Sequence, residues 1–238
     1  MRPRIICHMI SSIDGRLLTE RWTPPASGVE KGIISPTYEK VAKALNADGW
    51  MVGRKTMEDF AKGKPSEGTI SGNLPRSTYV ADPSAKTFSV AIDPRGKLHY
   101  HTNTAEGNHV IAVLGDDVPD SYLHELQESG VSYLFAGPDG NDLGMAMERL
   151  AQDFSVRSIL LEGGGIINGA FLKAGLIDEI SLLIYPGIDG LAGVPSVFEY
   201  SGETDEKPAS GQSLRHMSTA TLDGGVVWLR YNVERDGA

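Results

Sequence analysis

The sequence predicts an α/β fold in which a mainly parallel sheet is covered by helices on both faces. Short runs rich in β-branched residues alternate with segments in which apolar residues recur at helical spacing. Two extended runs around Asp223 and Gly224 add an antiparallel hairpin at the carboxyl-terminal end, so the sheet should be mixed. The chain of 238 residues has no long linker or internal repeat, and one domain over residues 1–238 is expected.

Seven runs predict the strands that precede the hairpin. They are short and β-branched, and turn-forming or charged residues separate them. In chain order they read RIICHMI, WMVG, FSVAI, HVIAVL, VSYLF, SILL and EISLLIY. Cys7, the single cysteine, lies in the first run and is expected to be a buried strand residue rather than a nucleophile.

Four segments between these runs predict helices. The apolar residues of TYEKVAKALNADG fall at i, i+3, i+4 and i+7, which gives one apolar stripe. DLGMAMERL repeats this spacing after Asp142, which is placed to cap the helix. IINGAFLKAGL repeats it again and ends at Gly175, a residue type that favours helix termination. PDSYLHELQESG is a shorter candidate, and TERWTPPASGVEKG and SGETDEKPASGQ predict surface loops.

Charge and composition exclude several classes of function. A net charge of -9 argues against binding to nucleic acid or to anionic membranes, since both require a basic surface. The amino-terminal apolar run is too short for a signal peptide or a membrane span, so a cytoplasmic protein is expected. One cysteine cannot form a disulfide or a multi-thiolate zinc site, and His99 with His101 lacks a third ligand, so no metal site is predicted.

The glycine run at residues 160–171, LLEGGGIINGAF, indicates an anion-binding turn. The three glycines lie between a strand and a helix, where free amide groups and the helix dipole favour a phosphate. Glycine also lets an anion approach the backbone closely. The alternative is a tight turn that binds nothing, because the run is neither GxGxxG nor a P-loop. Glu162 would repel a phosphate, so we expect it to contact another part of the ligand.

A second phosphate-compatible segment is GRKT, at residues 53–56. It follows a short strand, and its arginine, lysine and threonine offer a bidentate fork, a point charge and a hydroxyl group. The alternative is a solvated basic turn. Two such segments in an acidic chain suit a dinucleotide that carries a 2′-phosphate. Asp14, in SIDGR at residues 12–16, is either a turn former or a site residue.

These segments, in this order, resemble the riboflavin-biosynthesis pyrimidine reductases, which are relatives of dihydrofolate reductase. SIDGR and GRKT are followed by EGGGIINGAFLKAGLIDE at residues 162–179, the most specific part of the resemblance. VAIDPRGKL and DLGMAMERL also match the family, and the resemblance covers residues 5–233.

The resemblance implies a three-layer dihydrofolate-reductase-like fold, a homodimer, and NADPH as cofactor. The reaction that it implies is reduction of the ribose of a 5-amino-6-ribosylaminopyrimidine phosphate, a small heterocyclic substrate, to a ribityl chain. By position, Glu162 and Asp14 are expected to be catalytic, and Arg16 and Glu162 to bind the substrate. The residues expected to bind the cofactor are Gly53, Arg54, Lys55, Thr56, Gly163, Gly164, Gly165, Ile166 and Ile167.

The sequence also departs from the family pattern. No arginine for the substrate phosphate follows GRKT in MEDFAKGKP, and the zinc deaminase motifs HxE and PCxxC do not occur. A dihydrofolate or pterin reductase and a non-catalytic nucleotide-binding protein therefore remain as alternatives on the same fold. The apolar strand GGVVWLRYNV independently favours a homodimer, because we expect it to form an edge that needs cover.

Overall fold

The computed structural model describes residues 1–30, 32–65 and 74–236, and within them it contains ten strands and five α-helices. The strands are β1 (Arg4–Ser11), β2 (Gly49–Gly53), β3 (Phe88–Ile92), β4 (Thr104–Ala105), β5 (Asn108–Leu114), β6 (Ser132–Phe135), β7 (Ser158–Leu161), β8 (Glu179–Ile184), β9 (Gln212–Thr221) and β10 (Val227–Arg235). The helices are α1 (Ile34–Leu45), α2 (Arg54–Met57), α3 (Asp120–Glu128), α4 (Leu143–Phe154) and α5 (Gly165–Lys173).

The predicted pattern of elements is confirmed. Each of the seven predicted strands is present, and the four helical segments form α1, α3, α4 and α5. The Asp142 carboxylate accepts a hydrogen bond from the Met145 amide at 2.8 Å, so this cap is also confirmed. β4 was missed because two residues carry no periodicity. A short 3-10 turn, Asp223–Gly225, joins β9 to β10 in the predicted hairpin.

The chain divides into two compact units. One comprises Met1–Pro3 with Asp48–Ile159, and the other comprises Arg4–Ala47 with Leu160–Ala238. The expectation of one domain over residues 1–238 stays a prediction.

The first unit is built on parallel strands. β2 pairs with β3, β3 with β5, and β5 with β6, all in parallel, while the short β4 lies antiparallel to the start of β5. Every residue of β3 is buried, as expected for a parallel strand that is covered on both faces. The pairing brings Gly53, the last residue of β2, opposite Ile92, the last residue of β3. The carboxyl ends of these two strands therefore lie side by side.

The second unit has a mixed sheet in which β1 is parallel to β8, β8 is antiparallel to β10, and β10 is antiparallel to β9. The expectation that GGVVWLRYNV forms an exposed edge is wrong, because β10 is paired on both sides. β9 lies outside it, and nine of the ten β9 residues are exposed. The local pattern of β10 could not reveal this, since the pairing depends on a strand that lies on the far side of a turn.

Helix α1 and the loop that leads into α5 lie on opposite faces of β1 in the second unit. The buried His8 ring stacks on Tyr38 of α1 at a centroid distance of 4.3 Å. Met9, which points to the other face, packs beside Gly163 just before α5. This is the predicted three-layer order. Cys7 is 1% exposed and its pKa is raised by burial, so the expectation of a buried strand residue is confirmed. Within the described residues, no helix has the length and apolar character needed to cross a bilayer.

Candidate active site

The predicted site residues fall into two groups. Asp14, Arg16 and the segment 162–167 belong to the second unit, whereas the GRKT segment 53–56 belongs to the first.

In the second unit, the glycine loop follows directly from β7. Glu162, the first residue after the strand, is half-buried. Gly163 has a φ of +84°, and a Cβ built on it would lie 2.9 Å from Met9 Cε, so glycine is required there both by the backbone and by packing. The peptide bond between Gly163 and Gly164 is cis.

The other two glycines of the loop have different surroundings. A Cβ added to Gly165 would lie 2.2 Å from the Ser196 carbonyl oxygen, so protein already fills that space. Apart from its two chain neighbours, no atom of the described residues lies within 4 Å of a Cβ added to Gly164. Gly164 has extended backbone angles, with φ -64° and ψ -169°, which any residue can adopt. Neither contacts with other segments nor the φ and ψ angles thus require the glycine at position 164.

Helix α5 begins at this open space without a side-chain cap. Its first intrahelical bond is donated by the Asn168 amide to the Gly164 carbonyl oxygen at 3.1 Å. The amides of Gly165, Ile166 and Ile167 come before this bond and have no intrahelical acceptor, as at every helix start. They lie at the positive end of the helix dipole, which favours an anion.

The segment 187–199 holds this helix start in place. The Glu199 amide donates to the Gly165 carbonyl oxygen at 2.9 Å. The buried side chain of Asn168 donates through Nδ2 to the Val197 carbonyl oxygen at 2.8 Å. No role was predicted for this segment, although its three glycines and Pro195 are typical of a turn region.

The same segment is tied to the early turn through Asp14. The Asp14 carboxylate accepts hydrogen bonds from the Ser12 hydroxyl at 2.6 Å, the Gly190 amide at 2.8 Å and the Asp189 amide at 3.2 Å. The Ser12 hydroxyl, followed by the Gly190 amide, lowers the pKa of Asp14 to about 2. The carboxylate is therefore ionised at neutral pH. These contacts fit the turn-forming alternative, and a catalytic role for Asp14 stays a prediction.

Arg16 reinforces the same connection. Its Nη1 donates to the Val194 carbonyl oxygen at 2.9 Å, and its Nε lies 4.0 Å from Asp14 Oδ2. Its backbone amide donates to the Ser12 hydroxyl oxygen at 3.0 Å. The structure thus brings together Asp14, Arg16 and the glycine loop through the segment 187–199. Substrate binding by Arg16 stays a prediction.

In the first unit, Arg54 and Lys55 leave the end of β2 in the one-turn helix α2. The Arg54 guanidinium donates through Nη1 to Glu58 Oε1 at 2.8 Å, and both side chains are about half exposed. Lys55 is exposed and has no ion-pair partner among the described residues. Arg54 is therefore charge-compensated, whereas the ammonium group of Lys55 faces solvent.

Two further cations at this edge were missed by the sequence analysis. Arg95 and Lys97 are exposed in the turn that follows β3, beside the end of β2. The buried Asp93 organises this turn, because its Oδ2 accepts the amides of Lys97 at 2.6 Å and Leu98 at 2.8 Å. The sequence DPRGK, directly after the strand run FSVAI, could have indicated these two cations. The carboxyl ends of β2 and β3 thus carry four basic side chains in an acidic chain.

The described residues contain no group of three histidine, cysteine, aspartate or glutamate side chains that could hold a metal ion. His99 instead contacts Glu125 through Nδ1 at 2.7 Å from Oε1. The absence of a metal requirement stays a prediction.

Two similar proteins are reductases by name. Both are called 2,5-diamino-6-ribosylamino-4(3H)-pyrimidinone 5′-phosphate reductase. The protein of Methanothermobacter thermautotrophicus is 27% identical over 195 residues, which cover 80% of this chain and 81% of the relative. The protein of Aquifex aeolicus is 26% identical over 209 residues, which cover 82% of each.

A solved structure and a family model agree with these relatives. The pyrimidine reductase-like protein of Corynebacterium diphtheriae superposes with a TM-score of 0.67 at 20% identity, covering 98% of this chain and 93% of that one. This likeness shows the fold, and the predicted dihydrofolate-reductase-like class is confirmed. The model of the RibD C-terminal domain matches residues 3–228, so the chain belongs to the RibD C-terminal domain family.

Proposed function

We propose that the protein reduces the ribose of 2,5-diamino-6-ribosylamino-4(3H)-pyrimidinone 5′-phosphate, or of a close pyrimidine analogue, to a ribityl chain, with NADPH as reductant. Family membership supports this proposal, as do two relatives that carry this reductase name and align over four fifths of the chain. The chain's own residues support the finer assignments, to NADPH and to this substrate.

The observation that carries the proposal is the open space beside Gly164. Protein atoms fill the positions that side chains at Gly163 and Gly165 would occupy, whereas among the described residues only its chain neighbours lie near a Cβ at Gly164. The uncapped amides of α5 point out of the helix at the same place. A cofactor pyrophosphate fits there, because it needs both close backbone approach and amide donors.

The basic edge of the first unit supports the choice of NADPH over NADH. Arg54 and Lys55 follow β2, and Arg95 follows the adjacent β3. The 2′-phosphate of NADPH is a dianion that these side chains can bind, whereas NADH presents a hydroxyl group there. Since the chain as a whole carries a charge of -9, a local basic edge is the feature that needs a ligand.

Within the reaction, the bound nicotinamide supplies the reducing electrons, and the protein supplies position and polarity. Glu162 stands at the carboxyl end of β7 beside the glycine loop, where α/β sheets place ligands. We assign it to the substrate, to hold hydroxyl or ring N–H groups and to relay a proton. Asp14, with its pKa near 2, is unsuited to donating a proton at neutral pH. It contributes by holding the segment 187–199 together with Arg16.

We also propose a homodimer in which β9 is covered. β9 is a ten-residue outer strand with exposed Leu214 and Met217, and no proline interrupts it. Its one arginine or lysine, Arg215, is ion-paired with Glu234. Long edges without charged protection favour pairing with another chain, and a two-fold dimer covers the edge in both copies at once.

The experiment that tests this function is an assay of NADPH oxidation with two substrates and a blank. The pyrimidinone phosphate should support turnover, whereas dihydrofolate should not. Turnover with dihydrofolate alone would favour the pterin reductase alternative. Tight binding of NADPH without turnover on either compound would favour the non-catalytic nucleotide-binding protein.

A further inference from the structure

Arg54 faces carboxylates before any ligand arrives. Its guanidinium donates to Glu58 Oε1 at 2.8 Å, in an i,i+4 pair across the end of α2. The buried Asp93, directly after Ile92, is a second acid at this edge. Burial raises its pKa, and the Leu98 and Lys97 amides and then the Arg54 charge oppose this rise. A phosphate that binds Arg54 must therefore approach an arginine whose charge is already partly compensated.

We propose that Glu58 is a specificity-determining residue that competes with the cofactor 2′-phosphate for Arg54 and thereby limits the preference for NADPH over NADH. This inference rests on the proposed function, since it requires that the GRKT segment receives the adenosine phosphate. It adds to that function a residue whose carboxylate acts against the cofactor.

The competition follows from the sign and the exposure of the charges. The Glu58 side chain is 50% exposed, so its charge costs little without a ligand, and the pair with Arg54 contributes little to stability. A dianionic phosphate on the same guanidinium would lie within a few ångströms of that carboxylate and would be repelled by it. NADH carries no charge at that position, so Glu58 should barely affect its affinity.

The substitution Glu58→Gln tests the charge of this side chain without changing where it holds Arg54. Its amide oxygen can still accept the hydrogen bond of Arg54, so the orientation of the guanidinium is kept while the negative charge is removed. Asp59→Asn is the matched control. This substitution removes one negative charge from the adjacent position. The Asp59 carboxylate pairs weakly with Lys62, at 3.8 Å, rather than with Arg54.

The experiment measures dissociation constants of NADPH and NADH for the unaltered protein, Glu58→Gln, Asp59→Asn, Arg54→Gln and the double variant at positions 54 and 58. Glu58→Gln should tighten NADPH binding by about 3- to 10-fold and leave NADH within about twofold, as expected for one partly screened charge. The gain should be larger at low salt. It should disappear when Arg54 is also replaced, and Asp59→Asn should have less than about half of the effect on a logarithmic scale.

Three results would overturn the inference while leaving the proposed function in place. The first is weaker NADPH binding by Glu58→Gln, which would make Glu58 a positioning residue for Arg54. The second is an equal gain in NADPH affinity in Asp59→Asn. The third is a gain in NADPH affinity by Glu58→Gln that persists when Arg54 is also replaced. If the unaltered protein instead shows no preference for NADPH over NADH, the assignment of the GRKT segment itself fails, and the role of Glu58 falls with it.

Discussion

Valine at position 164 should block cofactor binding without disturbing the fold. The φ and ψ angles of Gly164 are open to L-residues, and a Cβ there meets no atom of the described residues within 4 Å other than its chain neighbours. The substitution therefore places its Cβ in the space that we assign to the pyrophosphate. Gly165→Ala is the matched control, because a Cβ at that position would lie 2.2 Å from the Ser196 carbonyl oxygen.

The two variants should differ in which quantity they change. Loss of two charge-assisted amide–phosphate hydrogen bonds, each worth roughly 1.5 kcal/mol or more, would weaken NADPH binding by Gly164→Val about 100-fold. In Gly165→Ala the Cβ and the oxygen must separate by more than an ångström to reach van der Waals contact. Such overpacking typically costs about 1–3 kcal/mol and would lower the melting temperature by roughly 2–10 °C.

The assay is a fluorescence titration with NADPH, together with thermal unfolding in the absence of cofactor, on both variants. Gly164→Val should unfold within about 2 °C of the unaltered protein, since a change at an open site alters stability by only a few tenths of a kcal/mol. If Gly164→Val is folded and its affinity for NADPH is within threefold of that of the unaltered protein, the pyrophosphate does not occupy this space. The assignment that carries the proposed function is then refuted.

Four further predictions follow from the same structure. Glu162→Gln should leave NADPH affinity within a factor of a few and reduce turnover by about 10²- to 10⁴-fold, as for loss of one positioning or proton-relay group. Replacing Arg54 and Lys55 by glutamine should remove most of the preference for NADPH over NADH, about 1–3 kcal/mol. The free energy of unfolding should fall by about 2 kcal/mol from pH 7.5 to 5 because of His8. Leu214→Asp should convert the proposed dimer to a monomer of 25.6 kDa in light scattering.

The sign of the His8 effect follows from its folded-state pKa, which burial lowers from 6.5 to about 4. Below pH 6.5 His8 binds a proton in the unfolded chain but stays neutral in the folded protein. The free energy of unfolding is therefore unaffected by His8 above that pH and decreases as the pH falls toward 4. His8→Phe, which keeps a ring against Tyr38, should flatten this part of the profile measured by denaturant unfolding. An unchanged slope in that variant would show that His8 is not the cause.

The other three predictions have equally definite contrary results. Full turnover with a lower melting temperature in Glu162→Gln would make that residue a structural one. Equal affinity of the unaltered protein for NADPH and NADH would falsify the role given to Arg54 and Lys55. If the unaltered protein is a monomer at micromolar concentration, the homodimer proposal is wrong. Arg157→Gln, at an exposed position in the first unit, serves as the control for Leu214→Asp.

The sequence predicted local structure well because local structure has local causes. Apolar spacing and the Asp142 cap depend on residues a few positions apart, and both are confirmed. The edge assignment of β10 failed because pairing is decided by a distant strand. The bonds from Asp189 and Gly190 to Asp14 join residues about 175 positions apart, and no sequence spacing reveals them.

The different roles of the three loop glycines could not be predicted from the sequence. Three consecutive glycines are identical in sequence, yet one is required by a positive φ, one by contact with Ser196, and only Gly164 faces open space. The pair between Arg54 and Glu58 could have been predicted from its i,i+4 spacing, since such pairs are neighbours on a helix. It was missed because the basic residues were considered without the acidic residues that follow them.

The most direct test of the proposed function is the mass of the product formed from 2,5-diamino-6-ribosylamino-4(3H)-pyrimidinone 5′-phosphate and NADPH. The protein should convert the substrate to a species with two additional hydrogen atoms in the sugar portion, in a ratio of one product to one NADPH consumed. A pyrimidinone of unchanged mass after incubation with fully folded, NADPH-binding protein would contradict the assignment.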